Sequence, residues 1–218
     1  MNGISTIDLD QIGLDQIDLD QINLDQVSAD LSSVSWAVCK NFLSLAECAS
    51  LMADIENLRR AQHMQRAGVG SADSYQQNTL VRSDAIFWLE EAALTPAQHI
   101  AWDRLQTLRT TLNRHLYLGL RDLEAHLTHY PPHGHYSRHV DNFQGKSSRI
   151  LSCIVYLNLD WKPEDGGELR LFSPDDEEKL IAEVAPRAGT LACFLSRDIP
   201  HEVTTTAKDR FSLTGWFR

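Results

Sequence analysis

Near residue 120 the hydrophobic period of the sequence changes, and this change limits the folds open to the chain. Upstream, Leu51, Met52, Ile55 and Leu58 recur at helical spacing behind Ser44-Leu45-Ala46-Glu47, a capping-box form, and predict a helix over about 45–62. Thr95-Pro96-Ala97-Gln98 marks a second start, since proline is tolerated at the first helical position; Trp102, Leu105, Leu108, Leu112 and Leu116 supply its apolar stripe. Downstream, alternation takes over in short segments (122–130, 136–141, 149–158, 167–172, 190–195, 201–205 and 209–217) parted by Pro-, Gly- and Asp-rich turns. Helices first and strands afterwards predict an α+β chain whose N-terminal helices pack on one sheet of an antiparallel jelly roll.

A different pattern precedes the helices. Residues 7–26 read IDLDQ IGLDQ IDLDQ INLDQ, and a step of five residues turns about 140° on a helix, so no helical face stays apolar. Residues 1–30 are therefore read as an acidic, flexible or partly docked, pentapeptide-like repeat tail without chemistry of its own, with an ordered element or partner-binding segment as the alternative. Residues 31–218 form one domain, helical over about 40–120 and built of strands over about 121–218. Residues 66–80, rich in small and polar side chains, read as a mobile loop.

Charge and cysteine usage exclude several classes. A net charge of -10 argues against a nucleic-acid partner, which needs a basic stripe to displace counterions. Cys39, Cys48, Cys153 and Cys193 contain no Cys-x-x-Cys pair, so neither a zinc ribbon nor a secreted disulfide scaffold is expected. With no signal-like start and no long apolar run, the expectation is a cytoplasmic protein without a membrane partner.

Five of the nine histidines fall between His126 and His139, but density is a poor guide to ligands. On an alternating segment His139 and Asp141 point to one side and Val140 to the other, which sets an imidazole beside a carboxylate. In the closing segment Arg210, Ser212, Thr214 and Trp216 share one face, and Phe211, Leu213 and Phe217 the other. An arginine alternating into such a strand needs an anion, and either an internal salt bridge or a carboxylate-bearing ligand would serve. With His201, residues His139 and Asp141 make a 2-His-1-carboxylate set, the facial triad that leaves positions of Fe(II) open.

HVDN, then GGELRLF, then PHEV and Arg210 together resemble the Fe(II)/2-oxoglutarate-dependent dioxygenases. Within these, YPPHGHYSRHVDN, SCIVYLNLDW and VRSDAIFWLE are similar to the protein prolyl hydroxylases, which include the hypoxia-inducible-factor hydroxylases and bacterial relatives. The likeness runs from about residue 40 to the C-terminus. It implies a cupin-like double-stranded β-helix with His139, Asp141 and His201 on iron, and Arg210 and Tyr156 at the distal carboxylate of 2-oxoglutarate. Tyr130, Ile154, Leu169, Thr214 and Trp216 would line the cosubstrate pocket. Asp84 and Arg149 would form a salt bridge at the edge of the site. Arg82, Tyr136, Arg138 and His126 would lie around the site or its substrate region, while His129 would point outward.

The resemblance also implies an activity. Fe(II) and 2-oxoglutarate would be required, with ascorbate as a candidate reductant; O2 would be consumed, a prolyl residue of a protein hydroxylated, and succinate and CO2 released. Because bacterial members of this branch act on elongation factor Tu, that protein is the first candidate substrate. Two alternatives stay open: a hydroxylase of a free amino acid or other small molecule, and a non-catalytic metal-binding β-barrel module.

Overall fold

The computed structural model describes residues 22–68, 80–142 and 148–218. Three helices carry the first half: α1 (Leu24–Val34), α2 (Leu45–Arg60) and α3 (Pro96–Leu116). The last two begin at the expected capping boxes, in which Ser44 and Thr95 accept from the backbone of Glu47 and Gln98 and those side chains accept in return. Strands β1 (Trp36–Cys39), β2 (Gln65–Arg66) and β3 (Ala85–Trp88) lie between the helices. After α3 come β4 (Leu123–Tyr130), β5 (Tyr136–His139), β6 (Leu151–Tyr156) and β7 (Leu169–Phe172). The chain ends with β8 (Leu180–Val184), β9 (Leu191–Leu195), β10 (His201–Val203) and β11 (Arg210–Phe217).

These strands make two antiparallel sheets packed as a jelly roll, the larger in the order β1-β9-β6-β11-β4-β3-β2 and the smaller in the order β5-β10-β7-β8. Strand alternation gives the larger sheet two buried faces. Leu127, Cys153, Val155, Leu191, Leu213 and Phe217 point outward and pack with Leu51, Ile55, Leu105 and Leu108 from the helices. Ile154, Tyr156, Ala192 and Phe194 point inward and meet Leu169, Leu171 and Val184 of the smaller sheet. The helix layer thus props the larger sheet from behind while its inner face lines the space between the sheets.

Three readings of the sequence change here. β1, β2 and β3 interrupt the supposedly helical half; each has four residues or fewer, too short for its alternation to stand out, and each gains its place by pairing in the larger sheet. β8 went unread because its pattern is largely exposed, leaving no apolar alternation. The assignment of residues 1–30 to a tail is also too long. Asn23 caps α1, and Val27 and Leu31 are buried in the helix-side core at 2% and 3% exposure. The remainder of the repeat, through residue 21, lies outside the described residues, as does most of the expected loop at 66–80.

Because Leu31 is buried among core side chains, Leu31→Ala is expected to destabilise the protein by about 2–4 kcal/mol in a denaturant melt. A loss under about 0.5 kcal/mol, the range of surface substitutions, would show that α1 contributes nothing to the core.

Candidate active site

His139 and His201 face one another as cross-strand partners on β5 and β10 of the smaller sheet, and Asp141 follows in the turn after β5. Nε2 of His139 is 3.8 Å from Asp141 Oδ1, and Nε2 of His201 is 3.7 Å from Asp141 Oδ2. One ligand atom from each of the three lies within 4.8 Å of the others. Both imidazoles are oriented by backbone: Nδ1 of His139 donates to Ser137 O (2.8 Å) and Nδ1 of His201 to Ile199 O (3.1 Å). With Nδ1 protonated, each Nε2 keeps a lone pair for a metal. Burial, then the neighbouring His201, hold the His139 imidazole down to about 3, so it stays neutral near pH 7.

The carboxylate is held from the opposite sheet. Asp141 Oδ2 accepts from Ser152 Oγ (2.6 Å) on β6 and from Trp216 Nε1 (2.8 Å) on β11. Burial works against its charge, but the two histidines and these two donors outweigh it and hold Asp141 down to about 2. The donor set is therefore two imidazoles and an ionised carboxylate facing one point, which could hold a divalent cation with further coordination positions open.

At the far end of the same cavity lies a buried charge. Arg210, 2% exposed, begins β11; its Nε donates to Gly167 O (2.8 Å) and its guanidinium carbon lies 5.1 Å and 5.2 Å from the ring centroids of Tyr130 and Tyr156. No carboxylate among the described residues pairs with it. Tyr156, equally buried, has its hydroxyl beside Arg210 and no other partner for it among the described residues; burial pushes it up to about 12 against the pull of Arg210. A buried guanidinium with only a hydroxyl and a carbonyl beside it is expensive unless an anion joins them, and a carboxylate fits both side chains. Gly167 permits this arrangement: at φ +73° it sits where an added Cβ would come within 3.0 Å of the Arg210 side chain.

The cavity between these two ends has a volume of about 1320 Å³. Ile154, Leu169 and Thr214 line it, and Trp216 does so while also holding Asp141. His126 lines it too, with Nδ1 2.9 Å from Thr128 Oγ1 and its ring edge-on to Trp88; burial pushes it down to about 3. Arg82, Asp84, Tyr136 and Arg149 stand along its wall.

Three placements differ from the reading of the sequence. The expected Asp84–Arg149 pair gives way to other partners: Asp84 takes a bidentate bond from Arg82 (2.7 and 2.5 Å), while Arg149 pairs with Glu124 (2.6 Å) and lies over Trp216. Arg82, two residues from Asp84, presents a planar fork that saturates both carboxylate oxygens. Arg138 does not line the cavity; it points away over Phe172 toward Glu178 and Glu202. His129 is turned from the cavity but is not outward in solvent, being 7% exposed, bonded to Asp209 (2.5 Å) and stacked on Phe211. Ser152 and Gly167 were missed. Ser152 was within reach, because alternation along β6 puts it on the face of Ile154 and Tyr156; the contact of Gly167 with Arg210 had no local signal.

Comparison with known proteins fits this geometry. The model of the 2OG-Fe(II) oxygenase superfamily matches residues 125–218. A crystal structure of a Pseudomonas putida prolyl-4-hydroxylase is 34% identical with a TM-score of 0.80, covering 89% of this chain and 98% of that one. A Trichoplax adhaerens prolyl hydroxylase, solved with a hypoxia inducible factor peptide, is 23% identical with a TM-score of 0.75 over 89% of this chain and 88% of that one. The Caenorhabditis elegans hypoxia-inducible factor prolyl hydroxylase is 29% identical over 86% of this chain and 27% of its own length. The chain covers only part of its curated relatives, with matches spanning 16% to 37% of their own length.

Trp216→Phe removes one of the two donors to Asp141 while keeping an aromatic ring. Mn(II) affinity, measured by calorimetry, is expected to fall about tenfold with the fold intact; an unchanged affinity would show that the indole N–H does not support the carboxylate.

Proposed function

Because the chain belongs to the 2OG-Fe(II) oxygenase superfamily, in its prolyl hydroxylase branch, we propose that it hydroxylates a prolyl residue of a protein or peptide, using Fe(II), 2-oxoglutarate and O2. The observation that carries this reading is one cavity with the His139, Asp141 and His201 donor set at one end and the anion-seeking pair Arg210 and Tyr156 at the other. His139, Asp141 and His201 hold the iron, and Arg210 with Tyr156 holds the distal carboxylate of 2-oxoglutarate. Bound together, the metal and cosubstrate supply oxidative decarboxylation, which delivers one oxygen atom of O2 to the substrate and the other to succinate, with release of CO2.

The protein's part is placement and exclusion of water. Arg210 draws the distal carboxylate into a buried pocket, Ile154, Leu169 and Thr214 wall the chain of the cosubstrate, and Ser152 and Trp216 keep Asp141 turned toward the metal. No acid or base is needed from the two histidines, which serve as neutral donors.

A peptide suits the cavity better than a free amino acid. Its volume of about 1320 Å³ exceeds that of ordinary small-molecule sites, and Trp88 on its wall is 45% exposed. Elongation factor Tu is the first protein candidate, on the strength of the sequence likeness to bacterial members of the branch. Among the described residues no helix is long and apolar enough to cross a membrane, and a cytoplasmic site of action accords with such a substrate.

The test is incubation with Fe(II), 2-oxoglutarate, ascorbate and either elongation factor Tu or a proline-containing peptide library, followed by mass spectrometry of the digest. One added oxygen on a prolyl ring is expected; oxidation of only free proline or other small molecules would overturn the peptidyl reading. Arg210→Ala, which removes the charged partner of the cosubstrate, is expected to lower kcat/KM for 2-oxoglutarate by about 10- to 100-fold or more, read as succinate formed.

A further inference from the structure

β5 and β10 pair out of step beside the metal site. His139 faces His201 while Tyr136 faces Val203, so a span of three residues on β5 matches a span of two on β10, an irregularity of the bulge type. In a regular strand Tyr136 and His139, three positions apart, would point to opposite faces. The bulge turns them to the same one. Their rings stack with centroids 3.7 Å apart and planes 19° from parallel.

Tyr136 is itself backed by a cation. The guanidinium carbon of Arg82 lies 4.4 Å from the phenol centroid. Since His139 covers one face of the phenol, the guanidinium takes the other. Arg82 is anchored in turn: Nε and Nη2 donate to both oxygens of Asp84, which is 2% exposed, and Nη1 donates to Gly68 O at 3.3 Å. The backbone adds support, because Arg82 and Tyr136 form an antiparallel bridge, Ser83 N donates to His135 O, and Ser137 N donates to Val81 O.

This order matters for His139 because its Nδ1 bond to Ser137 O fixes the tautomer but leaves the ring able to rock about that bond. A face-to-face contact removes the rocking. The ring of Phe194 lies 4.5 Å from that of His201 but is tilted 54° from it, so it borders that imidazole without stacking on it. We propose that Tyr136 and Arg82 are positioning residues for His139, Arg82 acting through Tyr136 by clamping the phenol against the imidazole. The proposal rests on the reading of His139 as a metal ligand.

Binding of Co(II) to the full chain, followed by calorimetry and by the visible ligand-field spectrum, tests it without turnover. Tyr136→Phe keeps the stacked ring and is expected to bind within about twofold of the parent, whereas Tyr136→Leu is expected to bind about tenfold more weakly with displaced bands. Arg82→Gln is made together with Asp84→Asn, so that no buried carboxylate is left unpaired. This pair of changes is expected to weaken Co(II) binding several-fold, and to add almost nothing when Tyr136→Leu is already present. Arg82→Lys, which retains the charge beside Asp84 but not the planar guanidinium, is expected to fall between, and serves if the paired variant does not fold. Melting curves of the metal-free variants establish that each is folded.

Equal binding by Tyr136→Phe and Tyr136→Leu, or an Arg82 effect undiminished in the Tyr136→Leu background, would overturn the proposal. If the parent binds no Co(II), or His139→Ala binds it as well as the parent, the metal-site reading itself fails and the proposal falls with it.

Discussion

Asp141 joins the two sheets at the proposed metal centre, and the site depends on how its charge is kept. The residue belongs to the smaller sheet by sequence, following β5, yet the hydrogen bonds to its Oδ2 come from Ser152 and Trp216 of the larger one. A buried carboxylate survives only when its oxygens are satisfied. Two donors fix Oδ2, which lies 3.7 Å from His201 Nε2, and so hold Oδ1 where it stands, 3.8 Å from His139 Nε2. Separating the sheets would therefore cost Asp141 its partners and the site its geometry together.

The same dependence explains the helix layer. β11 carries Arg210, Thr214 and Trp216 on its inner face and Phe211, Leu213 and Phe217 on its outer one, where they pack into the helix-side core. Arg210 and Trp216 are thus two ends of one strand, roughly 20 Å apart along its axis, and their side chains close on the cavity from either end. Two kinds of buried polar group meet there. Asp141 and the Arg82–Asp84 pair are satisfied within the protein, whereas Arg210 and the Tyr156 hydroxyl are left wanting an anion. Satisfied networks hold structure, and an unsatisfied one marks where a ligand completes the protein.

Much of this was legible because strand alternation is a physical rule with period two. The closing segment was read with its two faces correctly divided, and Asp141 proved to lie near His139 although it stands just beyond the strand end. What escaped was whatever depends on departures from the period or on distant partners. The bulge in β5 places Tyr136 with His139, and nothing in YSRH announces it, whereas Arg138, next to His139, points away as alternation requires. The choice of Asp84 for Arg82 rather than Arg149 depends on which guanidinium reaches it squarely in three dimensions. The last repeat unit was read as tail because its five-residue step hides the face of α1 that buries Val27 and Leu31. The histidine cluster dispersed by environment: His139 to the metal set, His126 to the cavity wall, His129 to a buried pairing with Asp209, and His135 to the carbonyl of Leu80.

In the proposed reaction one cavity takes Fe(II) and 2-oxoglutarate together. Anaerobic titration of the purified protein with both, followed by visible absorption, tests it most directly. The expected result is a weak charge-transfer band that needs both additions and disappears in Asp141→Ala. A folded protein that develops no such band at saturating Fe(II) and 2-oxoglutarate would contradict the account.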